Sequence, residues 1–387
     1  MVANIKEIEV TLNKMNNIDN EKFVKSRLRS IDALRGFDMF WIMGIGGVII
    51  QIATIHETSF WASLASQFEH PYWDGFTFWD LIFPLFMFIS GLSSPFSIDK
   101  QLKSGRTRKQ ILWKIVKRGL ILILLGIIYN TKELELRSLS EYRYASVLGK
   151  IGASYIFANI IFLYAKPTRL IFWYSFLLIG YWLLLKFTSA PGYLPGDLTE
   201  KGNFMSYFDR TVLPGLLSRG IHDTSGLLCT VTGIATTLSG IIAGYFLKKH
   251  PITPTKKVMW FIIVGIGMIV LALLWNLDFP INKNLWSSSF TLLTGGISLI
   301  LFALFYYIID VKGHYKWTFF FRVIGMNSIF IYVSPIFINY SFMAKGLFRW
   351  LGQLSGAYEE PVMRLCTVMI AWLVLYFFYK KDIFIKV

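Results

Sequence analysis

The sequence predicts an all-α fold, a polytopic transmembrane helical bundle of about ten spans with both termini cytoplasmic. Three observations carry this expectation. Of 387 residues, 55% are hydrophobic and only 16% are charged, against roughly 45–50% and about 25% in soluble domains. The apolar residues gather into runs long enough, at about 1.5 Å per residue, to cross about 30 Å of hydrocarbon. The basic residues crowd every second connection. Topology therefore accounts for the net charge of +16, and no nucleic-acid partner is expected.

Taken in order, residues 1–30 are polar and charged and are expected to form a cytoplasmic segment rather than a cleavable leader. Residues 31–387 form one transmembrane domain, with apolar runs near 36–55, 78–97, 113–129, 147–164, 169–187, 226–247, 258–277, 288–309, 319–339 and 362–379. The inside segments hold Lys22, Lys25, Arg27 and Arg29, then the cluster from Lys100 to Arg118, then Lys248, Lys249, Lys256 and Lys257, and finally Lys380 and Lys381. The first outer loop, 56–77, has no Lys or Arg. This asymmetry puts His56, Glu69, His70 and Asp74 on the outer face. The longest outer connection, 188–225, is rich in Gly, Pro and polar residues and suits a substrate cover. Cys229 and Cys366 lie in apolar segments, with no disulfide or metal spacing around them, and no metal is expected. Walker-type phosphate loops, His-Glu-x-x-His and Gly-x-Ser-x-Gly are absent from the sequence.

Four constellations carry chemistry. Glu69, His70, Asp74 and Asp80 stand where an apolar run begins. Charge there is costly and marks working sites, and an imidazole backed by a carboxylate is what proton transfer needs. Asp80 also suits a plain helix N-terminus. Asp32 and Arg35, at i and i+3, share one helix face at the cytoplasmic mouth of the first span, either as an anchoring ion pair or as the polar floor of an inward-opening cavity. Gly36 beside them admits a close neighbour, and Asp38, deeper still, needs a partner. Asn282, Lys283, Asn284 and Trp286 combine hydrogen-bonding groups with a stacking ring, as sugar sites do, or form an interfacial turn with a Trp anchor. Asn327 and Ser328 inside the ninth run suit hydrogen bonds between helices.

These pieces, with Asp209-Arg210 and Asp223 near Gly226, are spread in order along nearly the whole chain. The sequence resembles the membrane acetyltransferases typified by heparan-α-glucosaminide N-acetyltransferase. The resemblance rests on Arg29 to Gly36, on His70 to Gly91 with Trp73, Gly75, Asp80 and Phe83-Pro84, on Ile281 to Ser287, and on Gly325 to Ser328. It implies acetyl transfer from cytosolic acetyl-CoA, as co-substrate, to an amino-sugar or sugar hydroxyl of a glycan on the far side. It also implies a catalytic His70.

On that basis His70, Asp80 and Glu69 are the expected catalytic groups, and Arg35 and Asp32 are expected at the coenzyme. Asn282, Asn284, Trp286, Asp209, Arg210 and Asp223 are expected at the acceptor. Two departures stand out. The family's asparagine-containing run after the first span is replaced by Gly44-Ile45-Gly46-Gly47, so no role for that asparagine carries over. The family's large N-terminal luminal portion and one further span also have no counterpart in this sequence. Heparan sulfate is an animal polymer, so a different acceptor is expected. A transporter or glycan flippase without acyltransferase activity is the rival reading. A bacterial inner membrane is the expected location, an organelle membrane the alternative. Membrane lipids are expected partners, and Gly240 and Gly244 have the spacing to pair helices within the bundle or between two copies in a homodimer.

Overall fold

A computed structural model describes residues 28–131 and 138–385; the expected cytoplasmic segment lies outside the described residues as far as residue 27, including Lys22, Lys25 and Arg27. The described residues form 14 helices and no strand. They are α1 (Arg29–Ile55), α2 (Ser59–Ser66), α3 (Phe78–Lys103), α4 (Arg108–Thr131), α5 (Val147–Tyr164), α6 (Leu170–Phe187) and α7 (Phe204–Val212). Then come α8 (Thr230–Lys249), α9 (Pro254–Trp275), α10 (Ser288–Tyr306), α11 (Phe319–Met326), α12 (Ser328–Val333), α13 (Tyr340–Leu354) and α14 (Glu359–Lys380).

Eight of these helical segments are long and apolar enough to cross a membrane by length and composition. α11 and α12 make a ninth if taken as one span bent by 62°. The bend falls at Asn327, whose side-chain amide donates from Nδ2 to Ile383 O (3.1 Å) and accepts at Oδ1 from Ile385 N (2.9 Å), tying down the chain after α14. α4 corresponds to the remaining expected run. Its 24 residues extend about 36 Å, but its first turns carry Arg108, Lys109, Lys114, Lys117 and Arg118, so composition alone does not make it a span.

The core is built on α3, α8 and α10, which are the most deeply buried of the long helices, while α6 and α9 turn mostly apolar faces outward. α3 and α8 meet backbone to backbone. A Cβ on Gly91 would fall 2.0 Å from Thr237 O, and one on Gly240 would fall 2.0 Å from Phe88 O. Gly244 faces Leu92 in the same way, so both glycines of that pair serve the interior of the bundle. Gly36 admits α11 equally closely, against Phe321. Halfway along α1 the helix loosens into a π turn at Trp41–Ile45, with Gly44 at φ 126°, a conformation that favours glycine.

Two features were not expected. α13 occupies what reads as a connection, because Lys345 and Arg349 interrupt its apolar face while Phe342, Leu347, Trp350 and Leu354 stay exposed. Residues 188–225 hold a short helix, α7, and fold down over the loop before α3 through Trp73 Nε1 to Leu198 O (2.9 Å) and Arg219 Nη1 to Tyr72 O (2.8 Å).

Candidate active site

The first turn of α3 sets the site. Asp80 is fully buried there, and its two oxygens have different tasks. Oδ2 accepts from Thr77 N (3.0 Å) and Thr77 Oγ1 (3.3 Å), which caps the helix. Oδ1 faces His70 Nδ1 at 2.7 Å and Lys283 Nζ at 3.2 Å. One residue thus both caps the helix and holds the His70 ring. An ionised Asp80 places the proton of a neutral His70 on Nδ1 and leaves Nε2 with its lone pair. Glu69, by contrast, is exposed and contributes its backbone carbonyl, which accepts from Thr77 Oγ1 (2.8 Å).

Lys283 completes the cluster. Its Nζ is 3.2 Å from each ring nitrogen of His70. Burial pulls this ammonium below the usual lysine range, and the Asp80 carboxylate opposes that shift.

His70 and Lys283 open on a cavity of about 320 Å³, within the roughly 300–1,000 Å³ of small-ligand sites. Trp79, Phe83, Phe86 and Trp286 form much of its apolar wall, and Thr224 and Ser225 offer polar groups. Tyr129 and Tyr332, stacked with ring centroids 5.0 Å apart, also line it. The cavity runs down to Met39 and Ile42 on α1. Met39 is one turn from Arg35 on the same helix face. Arg35 donates from Nη2 to Ser93 Oγ (3.0 Å) and lies 3.6 Å from Asp32, so the expected i,i+3 pair forms. Neither residue lines the cavity. Asp38 is fully buried close by, and neither carboxyl oxygen has a hydrogen-bond partner among the described residues.

The remaining expected residues brace the cavity from behind. Asn282 Nδ2 donates to Asp74 Oδ1 (2.9 Å), and Asn282 Oδ1 accepts from Leu285 N (2.8 Å). Asn284 Nδ2 donates to Trp73 O (3.0 Å). Together with Gly75 N to Ile281 O (3.0 Å), these bonds fasten the His70 loop to the segment before α10. Trp286, at φ 52°, is fully buried; its ring lines the cavity and its Nε1 donates to Thr236 Oγ1 (3.1 Å).

Asp223 accepts from Arg143 Nε and Nη2, both at 2.8 Å, and from Ser218 N and Ser225 N. Asp209 accepts from Leu227 N (3.0 Å), and burial raises its pKa to about 6. Arg210 donates to Ile221 O and Lys201 O. These three hold the 188–225 segment in shape, and none lines the cavity. That segment also buries His222, bonded to Ser206 Oγ (2.7 Å) and set edge-on to Trp73, with its pKa pushed down to about 4 by burial.

One charged residue at the site had no place in the expectation. Lys150, buried in α5, sits 3.6 Å from the centre of the Trp286 ring and donates to Thr224 O (3.2 Å). A lone lysine inside an apolar run is the same signal that marked Asp80.

Residues 27–214 match the family described as heparan-alpha-glucosaminide N-acetyltransferase, catalytic. The human heparan-alpha-glucosaminide N-acetyltransferase is 28% identical over 93% of this chain and 60% of its own length. The mouse protein of the same name is 28% identical over 94% of this chain and 61% of its own. The chain thus spans about three fifths of the length of these curated relatives. The motifs, the helical bundle and these matches make the chain similar to the heparan-alpha-glucosaminide N-acetyltransferases.

Proposed function

We propose that this chain transfers an acetyl group from acetyl-CoA, bound from the cytoplasmic side, to an amine or hydroxyl of an amino-sugar-containing glycan on the opposite face. The observation that carries the reading is the His70–Asp80 pair. It opens on a cavity that descends along α1 to within one helical turn of Arg35. The relatives are named for N-acetyl transfer to a glucosaminide, which favours an amino sugar. In this reading Arg35, with Asp32 holding it, meets the coenzyme's phosphates, and the arm bearing the thioester rises past Met39 and Ile42. The acceptor enters beneath the 188–225 segment and packs on Trp286, with Thr224 and Ser225 beside it. Asn282, Asn284, Asp209, Arg210 and Asp223 serve the acceptor indirectly, by fixing the walls it meets.

The chemistry follows from the ring. Asp80 holds Nδ1–H, so Nε2 receives the proton of the attacking amine as nitrogen bonds to the thioester carbon. The carbon–sulfur bond breaks, and the proton passes to the departing thiolate. In a two-step variant Nε2 attacks the thioester itself; acetyl label retained on the protein after donor alone identifies that route.

The test is thioester cleavage by the purified protein in detergent, with acetyl-CoA and glucosamine or its oligomers. Wild type is expected to release coenzyme A with acceptor present, and His70→Ala to lower the rate at least about a hundredfold. Equal rates in the two proteins rule out the His70 assignment. A wild type that neither binds nor cleaves acetyl-CoA rules out the function.

A further inference from the structure

We propose that Lys283 is a catalytic residue of this transfer, donating a hydrogen bond from its ammonium to the thioester carbonyl oxygen as that oxygen becomes an oxyanion. The proposal deepens the acetyltransferase reading and rests on it.

Geometry is the main argument. Lys283 Nζ lies 3.2 Å from both His70 Nδ1 and His70 Nε2. A point equidistant from the two nitrogens at that range cannot lie in the ring plane, because it would fall onto Cε1 on one side or the other ring carbons on the opposite side. The ammonium therefore stands over the imidazole face. Two consequences follow. The in-plane lone pair of Nε2 is not covered by Lys283. And a carbonyl carbon under attack by a nucleophile held at Nε2 carries its oxygen close to Nζ. Both side chains line the same cavity, so one reacting group is able to touch both.

Charge balance points the same way. Lys283 and Asp80, 3.2 Å apart, pair opposite charges beside the His70 ring. When His70 takes the acceptor's proton, the cluster gains one positive charge. The oxyanion formed at the same moment supplies one negative charge against it. The nitrogen–carbon bond forms, the oxyanion collapses, the carbon–sulfur bond breaks, and the proton leaves His70 for sulfur. Lys283 keeps its own protons throughout. A mostly buried ammonium (side chain 17% exposed) acts with little screening from water, where such donors are most effective.

The experiment is steady-state acetyl transfer by the purified full chain with Lys283→Met, Lys283→Gln and Lys283→Arg. Lys283→Met is expected to lower kcat by about 10²–10³-fold, with KM for acetyl-CoA within about threefold of wild type. Lys283→Arg, which restores a cation, is expected to recover at least about tenfold over Met. If the Met protein does not fold, the Gln protein takes its place, with kcat expected at least about tenfold below Arg. A Met or Gln variant with kcat within about threefold of wild type, or one whose loss lies wholly in KM, overturns the proposal while leaving the function standing. A wild type without acetyl-CoA turnover overturns both.

Discussion

Asp80 divides its two oxygens between the helix cap and the His70 ring. Its Oδ2 closes the first turn of α3 on Thr77, and its Oδ1 fixes His70. An amide at this position cannot satisfy both sets, since Thr77 N and His70 Nδ1–H each require an acceptor. Asp80→Asn is therefore expected to lower kcat by about 10²–10⁴-fold through a misoriented or wrong-tautomer ring. It is also expected to weaken the helix cap by about 1 kcal/mol. Kinetics together with thermal unfolding in detergent check this; an unchanged kcat would show that the carboxylate only caps the helix. His70 and Asp80 were legible in the sequence because charge at the edge of an apolar run is conspicuous. Their third partner was less so: Lys283 is 213 positions from His70, and only the packing of α3 beside α10 brings them together.

At the level of elements, the 188–225 segment owes its shape to buried polar groups with opposed titrations. Burial of His222 lowers its pKa from 6.5 to about 4, so the folded state binds fewer protons than the unfolded chain in that window. Its contribution to stability is present above pH 6.5 and is lost as pH falls toward 4. Burial of Asp209 raises its pKa from 3.8 to about 6, so the folded state binds more protons there, and its contribution is gained as pH falls through 6. Each amounts to something on the order of 3 kcal/mol, so in wild type they largely cancel. Asp209→Asn leaves the histidine effect alone. Hydrogen exchange across 204–226 is expected to stay nearly level from pH 6 to 4 in wild type, after correction for intrinsic rates, and to accelerate on acidification in the variant. Equal pH dependence in the two proteins would contradict the pairing. Composition showed that this connection was long and polar. It did not show that Asp209, Arg210 and Asp223 bond to protein, because an acidic or basic residue in an outer loop looks the same whether it meets substrate or backbone.

For the whole molecule, hydropathy was the most readable property. Apolar runs placed the long helices, and the polar Asn327 in the ninth run became the 62° break. α13 was missed because it is amphipathic, and α4 is ambiguous because basic residues fill its opening turns. The cavity itself was not legible. It takes walls from α1, α3, α4, α5, α12, the His70 loop and the 224–225 and 283–286 segments, and no local pattern announces such a convergence. Its position beside His70 and one helical turn from Arg35 is what the proposed transfer between the two faces of the membrane rests on.

The most direct test uses sealed vesicles carrying the protein in one known orientation, with acetyl-CoA confined to the side of the Lys100–Arg118 cluster and a glucosamine oligomer confined to the other. Acetylated oligomer appearing on its own side, and vanishing with His70→Ala, is the predicted result. Intact vesicles that give product only when both substrates share one compartment would contradict transfer through the bundle.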